Sequence, residues 1–312
     1  MMKVLLALEQ TRISEGAIRI LSRMTLPGGS DLFLLYVNPL PRQIMGLAKK
    51  RDAKISQQVH DVQKNVLEQA RQFLDKVENR FNQQKVNCVS MVKNGVPGEE
   101  ILKVIHARDI DLVVLGTRGF SKATGFFLGS VSQGVLQEAP CSVLIARKMS
   151  REKKTGRGMK LLLAIDGSPD SQAAVDFVKT VGLTASSHLT ILHVVKKHVY
   201  ETGRTLIADS HHEKKLAELA EELLEVRGRE GAKLLEQTRK GLSSPGLAIQ
   251  ERLVYGNPAA EILKAARYLE ADLIVMGSRG TTGIKRILGS VSNKVAHSAG
   301  CPVAIMRNKR RK

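Results

Sequence analysis

The sequence predicts an α/β protein made of two tandem copies of one doubly wound domain, each with a five-stranded parallel sheet. Three observations point that way. First, the chain repeats itself. Lys3-Val4-Leu5-Leu6-Ala7-Leu8-Glu9 returns as Lys160-Leu161-Leu162-Leu163-Ala164-Ile165-Asp166. Asp111-Leu112-Val113-Val114-Leu115-Gly116-Thr117-Arg118-Gly119 returns as Asp272-Leu273-Ile274-Val275-Met276-Gly277-Ser278-Arg279-Gly280, and Gly129-Ser130-Val131-Ser132 as Gly289-Ser290-Val291-Ser292, at offsets of 157 to 161 residues. A period of that length is a whole domain, far beyond the roughly 20–50 residues of a solenoid unit. Second, near-continuous Val/Ile/Leu runs of strand length alternate with amphipathic stretches, as parallel strands covered on both faces require. Third, 312 residues with 43% hydrophobic content suffice for two ordinary cores.

In the first copy, strands are expected at 3–8, 32–37, about 86–92, 111–116 and 142–146. In the second they are expected at 160–165, 189–195, about 248–254, 272–277 and 303–306. Helices fill the gaps. Ala174, Phe177, Val178 and Val181 make one apolar helical face, with Ser168-Pro169 as N-cap and first-turn proline. Asn257-Pro258 plays the same part before Ile262, Leu263 and Ala266, and Pro97 sits alike before Ile101, Val104 and Ile105. Residues 56–84 and 205–240 read as long polar helices, the second interrupted near Gly228 and Gly231. The expected units are a domain over 1–147, a basic linker over 148–158, a second domain over 159–307 and a basic tail over 308–312.

The net charge of +19 is largely local. Arg147 to Lys160 carries net +6 and Arg307 to Lys312 net +5, together 11 of the 19 charges. Charge runs at a linker and a tail read as solvated. Aromatic content of 4%, no Trp and no Cys/His finger spacing count against a specific nucleic-acid role. Cys88, Cys141 and Cys301 give an odd count without C-x-x-C, which fits a reducing cytoplasm. Cys141 and Cys301 hold equivalent positions and read as small buried hydrophobes. The apolar runs fall far short of the roughly 20 residues that span a bilayer. The N-terminus enters a strand at once with no signal peptide, so a cytoplasmic, membrane-free protein is expected.

In open α/β sheets, ligands sit beyond the carboxyl ends of strands, where strand order reverses. Two such ends stand out. After strand one come Glu9-Gln10-Thr11 and Asp166-Gly167-Ser168. After strand four come Gly116-x-x-Gly119 then Gly129-Ser130, and Gly277-x-x-Gly280 then Gly289-Ser290. Glycines admit a close ligand, and a Gly-Ser pair opening a helix offers N–H groups and a hydroxyl to an anion. An acidic residue facing that loop can accept hydrogen bonds from a ribose. The sum is a mononucleotide site, although a purely steric need for glycine at a tight crossover would leave the same residues. Neither a Walker A sequence nor G-x-G-x-x-G is present. His211-His212 has no spaced Cys or His partner, so no metal site is read there. Nor is any catalytic residue assigned, Tyr36 and His193 reading as equivalent packing positions.

The spacing G-x2-G-x9-G-[S/T] after a strand resembles the nucleotide loop of the universal stress protein family, and Gly116, Gly119, Gly129 and Ser130 match it. Ile165-Asp166-Gly167-Ser168-Pro169-x-Ser171, Leu189-Thr190-Ile191-Leu192-His193-Val194, Gly256-Asn257-Pro258 and Cys301-Pro302-Val303 also look like that family. On these residues, over nearly all of both halves, the chain is identified as a tandem member. The resemblance implies an adenine nucleotide alpha hydrolase-like sheet of order 3-2-1-4-5, with the switch point between strands one and four. It implies last strands that pair into a pseudo-dimer, and leaves open a further homodimer of such units. The implied cofactor is ATP, with or without Mg²⁺. Val37 and Val194 would touch the base, and Leu115 and Met276 would line the pocket floor. Ala7, Leu8, Arg118, Val131 and Ser132 in one half complete the implied site. Ala164, Ile165, Arg279, Val291 and Ser292 do so in the other. Each half departs once from the pattern: Glu9 replaces the usual Asp, and only eight residues separate Gly280 from Gly289.

The leading reading is an ATP-binding stress-response module with a regulatory role and at most slow hydrolysis, or phosphorylation of its own Ser130 or Ser290. A true ATPase or adenylyl-transfer enzyme would need a base or metal carboxylate near the phosphates, and lacks the S-G-G-x-D-S loop of pyrophosphatase-type ligases. A structural module with empty loops, and a nucleic-acid-associated protein acting through its basic segments, remain as alternatives.

Overall fold

The first copy runs β1 (Lys3–Leu8), α1 (Arg12–Ser22), β2 (Asp31–Asn38), α2 (Ala53–Glu78), β3 (Asn87–Asn94), α3 (Pro97–Arg108), β4 (Leu112–Gly116), α4 (Ser130–Glu138) and β5 (Ser142–Ala146). The second runs β6 (Lys160–Ile165), α5 (Pro169–Thr180), β7 (His188–Lys196), α6 (Ser210–Leu242), β8 (Ala248–Gly256), α7 (Pro258–Tyr268), β9 (Leu273–Gly277), α8 (Ser290–Ser298) and β10 (Val303–Met306). This computed structural model describes residues 1–9, 12–39, 53–82, 84–117, 128–147, 158–183, 186–197, 210–243, 246–280 and 288–308. The bulk of the expected linker and residues 309–312 of the tail lie outside them. By contacts the chain divides into two units, Met1–Ser150 with Thr180–Gly182, and Arg151–Lys179 with Leu183–Lys312.

In the first unit all pairings are parallel and the strand order is β3-β2-β1-β4-β5. The second repeats it as β8-β7-β6-β9-β10. The chain therefore moves one way from the central strand, then returns and moves the other way. Because crossovers between parallel strands are right-handed, that reversal puts the two helices before it on one face and the two after it on the other. The contacts of α3 with α4, and of α7 with α8, agree with this. The central strands carry the core. Val4, Leu5, Leu6, Val113 and Val114 are buried in one unit, and Leu162, Leu163, Ile274 and Val275 in the other. Burying a side chain of this size contributes about 1.5–3 kcal/mol. The edge strands β3 and β8 are half exposed and polar along one face. Among the described residues, no helix is long and apolar enough to cross a membrane.

Side chains repeat their tasks between the copies. Asp111 Oδ2 accepts from Lys3 N at 2.9 Å, and Asp272 Oδ2 from Lys160 N at 3.0 Å, so each fourth strand begins by capping the first. Ser168 accepts from Ser171 N at 3.2 Å and Asn257 from Ala260 N at 3.1 Å, the N-caps that the sequence signals. Val96, before Pro97, provides no side-chain cap. Cys141 is buried as expected, whereas Cys301 is partly exposed.

The expected break near Gly228 and Gly231 does not occur: α6 is one helix of 33 residues. Both glycines are points of close approach instead. A Cβ on Gly231 would lie 2.6 Å from His193 Cδ2 and 2.9 Å from Leu253 Cδ1, and one on Gly228 would meet the Tyr255 hydroxyl. The helix thus lies directly on β7 and β8, and packing overrides the poor helical propensity of glycine. Two substitutions separate these effects. Gly231→Ala should destabilise the protein by about 1–3 kcal/mol through overpacking. Gly134→Ala in α4, where no described atom lies within 4 Å of a Cβ, should stabilise it by about 0.5–1 kcal/mol. Urea unfolding followed by far-ultraviolet circular dichroism reads both.

Candidate functional site

The second unit opens a cleft of about 730 Å³ beyond the carboxyl ends of β6, β7 and β9, at the reversal of strand order. Ala164, Ile165 and Asp166 reach it from β6, and Val194 from β7. Met276, Gly277, Arg279 and Gly280 reach it from β9 and its loop, and Gly289, Ser290, Val291 and Ser292 from the start of α8. All second-half residues singled out by sequence thus line one cavity. The sequence reading missed another wall, made of Arg227, Glu230, Gly231 and Leu234 on α6. Leu192, His193, Val195, Lys196, Pro258 and Ile262 were missed as well. The glycines of α6 were the available signal, since a helix glycine within an apolar pattern marks close packing as readily as a break.

Backbone groups shape one end of the cleft. After Ile165 the chain turns through Gly167 at φ +78°. Asp166 N donates to Ser171 Oγ at 3.1 Å, and Asp166 Oδ1 accepts from Ser168 N at 3.0 Å. The carboxylate is held while Asp166 stays exposed. Gly280 sits so close that a Cβ there would lie 2.8 Å from Asp166 Oδ2. Ser168 Oγ also donates to Arg279 O at 3.0 Å, joining the turn after β6 to the loop after β9.

At the other end, Ser278 is stitched in from both sides. Its N–H donates to Met306 O at 2.8 Å, and its carbonyl accepts from Gly289 N at 2.8 Å and from Ser292 Oγ at 2.6 Å. The Gly289 N–H is spent inside the loop, so the open donors at the helix start are those of Ser290, Val291 and Ser292, which helix geometry leaves without intrahelical acceptors. The Ser292 hydroxyl is buried and faces the loop backbone. A Cβ on Gly289 would lie 3.1 Å from Ser278 O.

Arg279 is also committed. Its Nε donates to Asp170 Oδ2 at 2.8 Å and its Nη2 to Asp170 Oδ1 at 3.1 Å. Asp170 further accepts from Ser278 Oγ at 2.6 Å and from Asn308 N at 3.0 Å. Burial alone would push the Asp170 carboxyl up. The hydrogen bonds from Arg279, Ser278 and Asn308, with the guanidinium charge, outweigh it and hold the carboxyl below the ordinary range. His193 Nδ1 lies 2.8 Å from Ile165 O, which orients the ring at the cleft wall.

In the first unit, Ala7, Leu8, Glu9, Leu115 and Gly116 occupy the matching strand ends. Glu9 N donates to Ser14 Oγ at 2.7 Å, the counterpart of the Asp166–Ser171 bond. Ser132 Oγ donates to Gly116 O at 3.1 Å, and Val37 is buried. Ser130 is exposed and Val131 partly so at the start of α4, after Gly129 as N-cap. Burial first, and then the Glu9 carboxylate, push the Tyr36 phenol up. Arg118 and Gly119 lie outside the described residues.

The model of the family described as universal stress protein matches residues 1–147 and again 159–307. The chain belongs to the universal stress protein family. Universal stress protein YxiE of Bacillus subtilis is 36% identical over 149 residues, which are 47% of this chain and 98% of that protein. A universal stress protein structure from Archaeoglobus fulgidus covers 98% of both chains at 22% identity and TM-score 0.58, a likeness of fold. An Arabidopsis thaliana family member solved with AMP bound covers 50% of this chain at 17% identity and TM-score 0.33, too distant to speak for the ligand here.

The Asp170 cluster has a pH signature. A carboxyl held below its unfolded value of about 3.9 stabilises the fold fully above that pH, and the gain is lost as pH falls through the folded value. Asp170 is 4% exposed and Arg279 26%. Asp170→Asn should therefore cost about 1–3 kcal/mol at pH 7, the exposed side of Arg279 tempering the loss. The gap from wild type should close as pH drops below about 4. Urea midpoints measured from pH 7 to pH 2.5 check this.

Proposed function

We propose that the second half binds ATP and that the protein acts as a nucleotide-dependent regulatory module of the stress response. One observation carries the reading: a single cleft is lined both by Asp166, whose carboxylate is held, and by Ser290, Val291 and Ser292 at the start of α8. Asp166 would accept from the ribose hydroxyls. The N–H groups of Ser290, Val291 and Ser292 would take phosphate oxygens, where the helix dipole favours negative charge. Val194 would touch the base, and Met276 would line the pocket floor. The cleft volume falls within the roughly 300–1,000 Å³ of ordinary small-molecule sites. ATP chemistry beyond slow hydrolysis forms no part of the proposal, and location in the cytoplasm belongs to the same reading.

Native mass spectrometry of the purified chain with ATP and Mg²⁺ tests it. Wild type should gain the mass of a nucleotide. Ser290→Asp puts a negative charge at the first position of α8, where it favours the helix but repels phosphate. That variant should stay folded and lose the increment. A wild-type chain that gains no mass at millimolar ATP leaves the site as a scaffold acting through its surface.

A further inference from the structure

Asp170 fastens the start of the loop after β9, beside the hydroxyls of Ser168 and Ser292. Asp170, on the first turn of α5, is 3% exposed and takes four hydrogen bonds, from Ser278 Oγ, from Arg279 Nε and Nη2, and from Asn308 N. The same stretch is tied through its main chain by Ser168 Oγ to Arg279 O and by Gly289 N to Ser278 O. Asp170 thus joins the turn that carries Asp166 to the residues that set where α8 begins.

The first half differs in residue type at this position. Its Glu9–Ser14 bond and the Asp166–Ser171 bond each join residues five apart, which aligns Ser14 with Ser171 and Ile13 with Asp170. An isoleucine side chain offers no acceptor. Thr117, the counterpart of Ser278, turns its hydroxyl to Ala146 O at 3.3 Å, the acceptor its own N–H already uses at 3.1 Å.

Resting on the ATP reading above, we infer that Asp170 is a positioning residue for the phosphate side of the cleft. Ser278 and Arg279, already fixed by Asp170, spare ATP the entropy of ordering them. Positioning and plain electrostatics predict opposite signs. Removing the Asp170 charge leaves Arg279 unneutralised beside the cleft, which by charge alone would tighten phosphate binding. Loss of fixed geometry weakens it.

Calorimetric titration with ATP and, separately, with adenosine, on wild type, Asp170→Asn and Arg279→Lys, decides between them. The Lys variant keeps the charge but not the two-pronged geometry. Both variants should bind ATP roughly tenfold or more weakly and adenosine as wild type does. Equal or tighter ATP binding, or equal losses for ATP and adenosine, overturns the positioning role. A wild type that takes up no ATP sinks both readings.

Discussion

Parallel strands that end side by side leave a row of backbone groups with no sheet partner, and so do the first turns of the helices that follow. Each buried one must find a partner. In the second half this accounting shapes the cleft. The Ser278 carbonyl is satisfied by Gly289 and Ser292, the Arg279 carbonyl by Ser168, and the Ser278 and Arg279 side chains by Asp170. At the start of α8, the residues Ser290, Val291 and Ser292, whose N–H groups have no intrahelical acceptor, line the cavity.

The duplication makes a comparison inside one chain. Strand order, the serine that locks the turn after the central strand, and the aspartate that caps its start recur in both halves. These shared features belong to the fold. The differences are Glu9 against Asp166, Ile13 against Asp170, and a loop longer by one residue. Each lies at the switch point, where packing demands least and ligand demands most. A duplicated domain is free to keep one copy as a scaffold while the other holds a ligand.

The long helix α6 shows how propensity yields to packing. Glycines at 228 and 231 cost helical stability, yet they let the backbone settle onto β7 and β8 beside His193, Leu253 and Tyr255. That close approach brings Arg227, Glu230 and Leu234 to the cleft wall. Read along the sequence, two glycines three residues apart in a polar stretch resemble a break. Only the strand beneath them explains the choice.

The sequence alone determined the two-fold repeat, the ten strands to within a residue or two, the capped helix starts, and the two loops that meet at the switch point. All of these are local patterns: apolar periodicity, a proline after a capping residue, glycines at fixed spacing. Tertiary structure decided which donors remain open, the continuity of α6, and the part played by Asp170. By sequence Asp170 is an acidic residue in a first helical turn, 108 positions from Ser278 and 138 from Asn308. Its partners become visible only when β6, β9 and β10 bring three distant segments to the same end of one sheet, because hydrogen bonds are set by distance in space and a linear pattern holds no record of it.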